Sequence, residues 1–163
     1  MNADTIVIEV PKVHYTLFNN KRDGKPEIIV VNDALLAFPH IDVFPWHLYV
    51  ELQVRELADN GMPTHNESQL LFRIGDRIER TVLGGRTEFG GENALFLARS
   101  TWNAIRELHF QVHNPDIADG ALHELLEAET WQRDWEYVMK HDPKWTRAAE
   151  MFQLFPLAKG ADA

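Results

Sequence analysis

The 163-residue chain contains no cysteine, which removes disulfides, thiolate nucleophiles and cysteine-rich metal sites together. It has no stretch near the roughly 18 unbroken apolar residues that a membrane helix needs. Its opening residues, Met1-Asn2-Ala3-Asp4, lack the basic start and apolar run of a secretory signal. The expectation is therefore a soluble cytoplasmic protein with no membrane partner. Serine is nearly missing too: Ser68 and Ser100 stand alone, and neither sits in a Gly-x-Ser-x-Gly elbow, so serine-hydrolase chemistry has no support. Positive charge is the scarcer sign, with 16 Lys and Arg against 25 Asp and Glu and a net charge of -9. Such a surface repels a phosphate backbone. Direct nucleic-acid binding is thus disfavoured, and a basic protein, such as a nuclease or toxin, becomes the more natural partner, although acidity also confers plain solubility.

What is present is a change of apolar period. Between Trp46 and His141 the pattern runs two, 3.6, two, two, 3.6, two, which spells strand, helix, strand, strand, helix, strand. In the first strand Leu48, Val50, Leu52 and Val54 alternate with His47, Tyr49, Glu51 and Gln53. Thr64-His65-Asn66-Glu67 has the form of a capping box before a stripe of Leu70, Leu71, Ile74, Ile78 and Val82. Ala94 to Thr101 and Arg106 to His113 read as two strands joined by a tight connection around Trp102-Asn103-Ala104-Ile105. Asn114-Pro115 opens a second helix, and the strand from Arg133 to His141 closes the unit. The predicted class is α+β, a ferredoxin-like split βαβ (βαββαβ) antiparallel sheet with both helices on one face and the other left open.

Residues 1–44 add an N-terminal hairpin around Asp23-Gly24, with Ala34 to Phe38 readable as a helical turn or a strand. Residues 45–157 form the α+β domain with a short C-terminal helix after Asp142-Pro143, and residues 158–163 read as a disordered tail.

Two groups of side chains carry candidate chemistry. On the open face Tyr49, Glu51, His109, Gln111 and His113 fall on neighbouring strands. Four residues along a strand span about 13 Å, so His109 and His113 cannot share one metal ion, and neither metal, cofactor nor catalytic set is assigned. At the hairpin, Arg99, Thr101 and Arg106 are spaced to clasp an anion or carboxylate in the two-pronged manner of guanidinium groups; the bland alternative is charge balance against Glu88, Glu92 and Glu107. The five tryptophans read most simply as buried core anchors; the functional alternative places Trp102 at the hairpin tip and Trp145 at a helix start as exposed binding anchors.

Several short motifs follow one another in order: Asn60-Gly61-Met62-Pro63-Thr64 with Glu67, Phe96-Leu97-Ala98-Arg99 with Thr101, Arg106-Glu107-Leu108-His109-Phe110, and Asp142-Pro143 with Trp145. Together they resemble the uncharacterised bacterial family termed domain of unknown function 695. Ala104 departs from it, standing where the family usually shows glycine, and Gly75-Asp76 replaces a more acidic pair. The acidic strand and Asp-x-x-Trp element are also similar to the small acidic inhibitor of ribonuclease E. The resemblance implies a partner-binding role and no catalytic residues. The leading expectation is an acidic interaction or inhibitor module without turnover. The alternatives are an enzyme or small-ligand or anion binder using the arginines and the open face, and a symmetric homodimer formed through that face.

Overall fold

The computed structural model describes residues 8–155; the expected tail at 158–163 lies outside them. The described residues form a single six-stranded antiparallel sheet with three α-helices. In chain order these are β1 (Tyr15–Arg22), β2 (Lys25–Asn32), β3 (Trp46–Gln53), α1 (His65–Leu83), β4 (Ala94–Trp102), β5 (Ile105–Val112), α2 (Pro115–Glu127), β6 (Trp135–His141) and α3 (Thr146–Phe152). Across the sheet the order is β1-β2-β4-β5-β3-β6. The N-terminal hairpin thus continues the sheet through β2, whose Val30 lies opposite Arg99 of β4. Of the two readings of the Ala34–Phe38 segment, the helical turn is the one found at its start, as the 3-10 turn Asp33–Leu35, and no strand forms there. No helix among the described residues is long and apolar enough to cross a membrane.

Local chemistry explains the boundaries. Asp23 and Gly24 adopt φ of 53° and 77°, and Asn103 and Ala104 adopt 51° and 63°. Two consecutive positive φ values match the twist of the flanking strands, which is why both pairs make two-residue hairpins. Thr64 caps α1 by accepting from the Glu67 N–H at 3.2 Å. The expected reciprocal bond is absent, because the Glu67 carboxylate accepts from the Arg55 N–H at 2.7 Å and from Arg133 at 2.5 and 2.9 Å. A guanidinium offers two charged donors where a backbone amide offers one.

On one face Leu48, Val50, Leu52, Leu108, Phe110 and Val112 pack under Leu71, Ile74, Ile78 and Val82 of α1 and Leu122 of α2. The opposite face is not open, contrary to the alternation reading. The segment from Leu35 to Phe44 and the α3 region fold over it, so that Phe38, Phe44, Trp145, Ala148 and Met151 bury Ile29, Val31, Leu95 and Leu97. These covering segments are short and aperiodic, so no amphipathic stripe announces them.

Candidate functional site

A register shift in β4 sets the first site. Phe96 lies opposite Phe110 and Ala98 opposite His109, so Leu97 is an extra residue and the alternation reverses beyond it. Arg99 and Thr101 consequently face the helix side, beside Leu108 and Arg106 of β5. The two guanidinium carbons lie 4.9 Å (Arg99) and 4.6 Å (Arg106) from the Phe72 ring centroid. Phe72 projects from the otherwise polar side of α1 and stays 47 % exposed. Arg106 is only 5 % exposed. Its Nε–H donates to Thr101 Oγ1 at 3.2 Å, while its Nη1 has no partner among the described residues. Burial, then the charge of Arg99, push the Arg106 pKa down to about 10. Among the described residues no carboxylate lies within ion-pair distance of either arginine: Glu92 is taken by Arg86 and Glu107 by Arg22.

Clefts of about 330 and 350 Å³ open on the two sides of Phe72, and both include Arg99 and Arg106. The first carries Asp76 and Glu79, whose carboxyl is pushed up by burial against the pull of Arg99. The second is walled by Leu17, Ile28, Val30, Met62 and Pro63, with Asn60 and Ser68 as polar members.

The covered sheet face holds a buried polar chain. His47 Nδ1 lies 2.6 Å from Gln111 Oε1, His47 Nε2 lies 2.9 Å from His109 Nδ1, and His109 Nε2 lies 3.0 Å from Glu107 Oε1. Arg22 donates to Glu107 Oε2 at 3.1 Å, and Tyr49 donates to Glu51 at 2.7 Å. Burial pushes both imidazoles below their usual range, His47 to about 4. Burial by itself would raise the Glu107 carboxyl, but the His109 hydrogen bond and the Arg22 charge outweigh it and hold it down. Burial and the bond to Glu51 push the Tyr49 phenol up. His47, Tyr49, Glu107 and Arg22 border a third cleft, of about 610 Å³, with Lys140 and Arg147.

Several expected site residues are relocated. His109 and Gln111 are fully buried rather than displayed, because Phe44 and the α3 region cover their face. His113 lies just beyond β5, exposed, with Nδ1 bonded to the Val43 carbonyl at 2.6 Å, and does not join His109. Trp145 is no surface anchor: it is 3 % exposed, stacks on Phe38 and donates to the Phe44 carbonyl at 2.8 Å. Trp102 is half-buried and occupied, donating to the Arg22 carbonyl while the Arg22 guanidinium lies 4.0 Å above its ring. Tyr49 and Glu51 stand side by side, whereas Arg99, Thr101 and Arg106 converge as a group. Phe72, His47 and Arg22 were missed. Phe72 had a signal, an aromatic residue among the polar positions of α1; the other two meet their partners only through the sheet register.

The family model for DUF695, a family of unknown function, matches residues 14–150. The chain belongs to this family. The match spans β1 to α3, so it takes in both the arginine cleft and the polar chain of this DUF695 protein. No curated protein and no solved structure matches it, and the similarity to the ribonuclease E inhibitor has no support among these comparisons.

Proposed function

We propose that this DUF695 protein is a small-ligand receptor that captures an anion between Arg99 and Arg106. The observation that carries this reading is Arg106, a residue only 5 % exposed whose buried Nη1 has no partner among the described residues and lies beside a second arginine. A buried charge without a counter-ion costs several kcal/mol, so it is retained where a ligand supplies the missing charge. The test is a titration with acetate and inorganic phosphate, ionic strength held constant with chloride, followed through the arginine Nε–H NMR signals. Saturable shifts confined to Arg99 and Arg106, lost in Arg106→Met, support the reading. Equal, non-saturating shifts at exposed Arg55, Arg80 and Arg86 overturn it.

The positions of β4, β5, β3 and β6, joined through α1 and α2, support reading this part as a ferredoxin-like split βαβ unit, with the β1-β2 hairpin as an addition at its edge. A second functional reading, an acidic module for a basic protein, is favoured by α2, which carries Asp116, Asp119, Glu124 and Glu127 on exposed positions and no Lys or Arg. The lack of cysteine fits a cytoplasmic setting.

A further inference from the structure

The two sides of Phe72 differ in a way that selects a ligand. Towards one side an anion meets Asp76 and Glu79; towards the other it meets Leu17, Ile28, Val30, Met62 and Pro63 with the uncharged Asn60, Ser68 and Thr101, and no carboxylate. The sheet register sets the direction of that second side. Arg99 lies opposite Val30, and Val30 lies opposite Leu17, so the three share a face in a row crossing β4, β2 and β1. The neighbouring row runs Arg106, Thr101, Ile28. Leu17 is 57 % exposed at the far end of the first row. Two strand spacings separate it from Arg99, about 10 Å. An apolar strip with a cationic end presents the complement of an amphiphile.

Resting on the anion-capture reading, we infer that the ligand is a monocarboxylate with an unbranched apolar chain about 10 Å long, its head at Arg99 and Arg106 and its body laid across Val30 and Ile28 towards Leu17. One negative charge suits the site, because Glu79 draws on Arg99 from the other side of Phe72 while Asp76 is paired with Arg80 at 2.9 Å, leaving Arg106 as the uncompensated charge. The carboxylate accepts from Arg106 Nη1–H and from Arg99, satisfying the donor that the protein leaves free.

The test measures affinities of acetate, octanoate and 1-octanol for the native chain, Leu17→Glu and Arg106→Met by calorimetry. A fully buried methylene contributes about fourfold, and a groove open on one side about twofold, so the six extra methylenes of octanoate give about sixtyfold over acetate. Leu17→Glu, at an exposed position that leaves folding intact, shrinks the octanoate-to-acetate ratio at least tenfold. Equal affinity of the native chain for acetate and octanoate overturns the amphiphile inference and leaves anion capture standing. Acid binding unchanged in Arg106→Met, or 1-octanol bound as tightly as octanoate, overturns both.

Discussion

Replacing Arg106 by methionine stabilises the unliganded protein while abolishing its anion binding. Folding leaves the Arg106 residue 5 % exposed, and burial and Arg99 lower the pKa of its guanidinium to about 10. Against an ordinary, fully solvated arginine, this disfavours the charged form in the folded state by about 3 kcal/mol. Because the folded pKa is the lower one, the penalty is fully present below pH 10, including neutral pH. Methionine removes that penalty and fills the space beside Phe72 with an unbranched apolar chain. It also loses the Nε–H bond to Thr101, worth about 1 kcal/mol, and the stacking on Phe72, worth about 0.5–1 kcal/mol at a half-exposed ring. The balance favours the variant by about 1 kcal/mol, a rise in melting temperature of about 2–4 °C for a chain of this size. Calorimetric melts with and without octanoate, at matched ionic strength, measure it. The native chain gains stability from the acid and Arg106→Met gains none. A variant less stable than the native chain by 1 kcal/mol or more in plain buffer, on the order of the contacts it loses, overturns the reading of Arg106 as an uncompensated charge.

Three further outcomes follow from other parts of the molecule. Glu67→Gln destabilises at pH 7 by about 2 kcal/mol, since it leaves the partly buried donors of Arg133 and the Arg55 N–H without their anion. Arg133, ahead of its other partners, holds the Glu67 pKa down to about 2, so its contribution is complete above the ordinary carboxylate range and fades as pH falls towards 2; urea midpoints of the two chains converge over that window. His47, whose folded pKa is lowered to about 4, stays neutral while the unfolded chain begins to protonate near pH 6.5. Stability therefore declines as pH falls from 6.5 towards 4, by roughly 3 kcal/mol, and an NMR titration in which the His47 ring protonates at pH 6.5 contradicts this. Ala104→Gly relieves the left-handed backbone at φ 63° and, after the added flexibility of the unfolded chain, stabilises by about 0.5 kcal/mol; the urea midpoint rises with an unchanged slope.

The element order was legible because periodicity is written locally. Leu48, Val50 and Leu52 alternate, Leu71, Ile74 and Ile78 recur each turn, and these stripes do meet in one core. Thr64 and Asn114 mark helix starts by side-chain chemistry that needs only three or four residues. The cover over the second face was illegible: Leu35, Phe38, Phe44 and Trp145 come from segments without a period, up to 110 residues apart. The same absence of local signal turned His109 and Gln111 from a displayed surface into a buried chain.

Composition and pattern alone settled an acidic, cysteine-free chain with alternating strands, two long amphipathic helices and turns able to hold positive φ, since each depends on neighbours a few residues away. Tertiary structure alone decided which face each polar side chain occupies. One extra residue at Leu97 reverses the alternation of β4 and turns Arg99 towards α1, and only packing leaves Arg106 buried beside it without a carboxylate. Burial and pairing are properties of the assembled surroundings, so a guanidinium that reads as an ordinary solvated charge along the chain becomes, in the fold, a buried donor without a partner among the described residues.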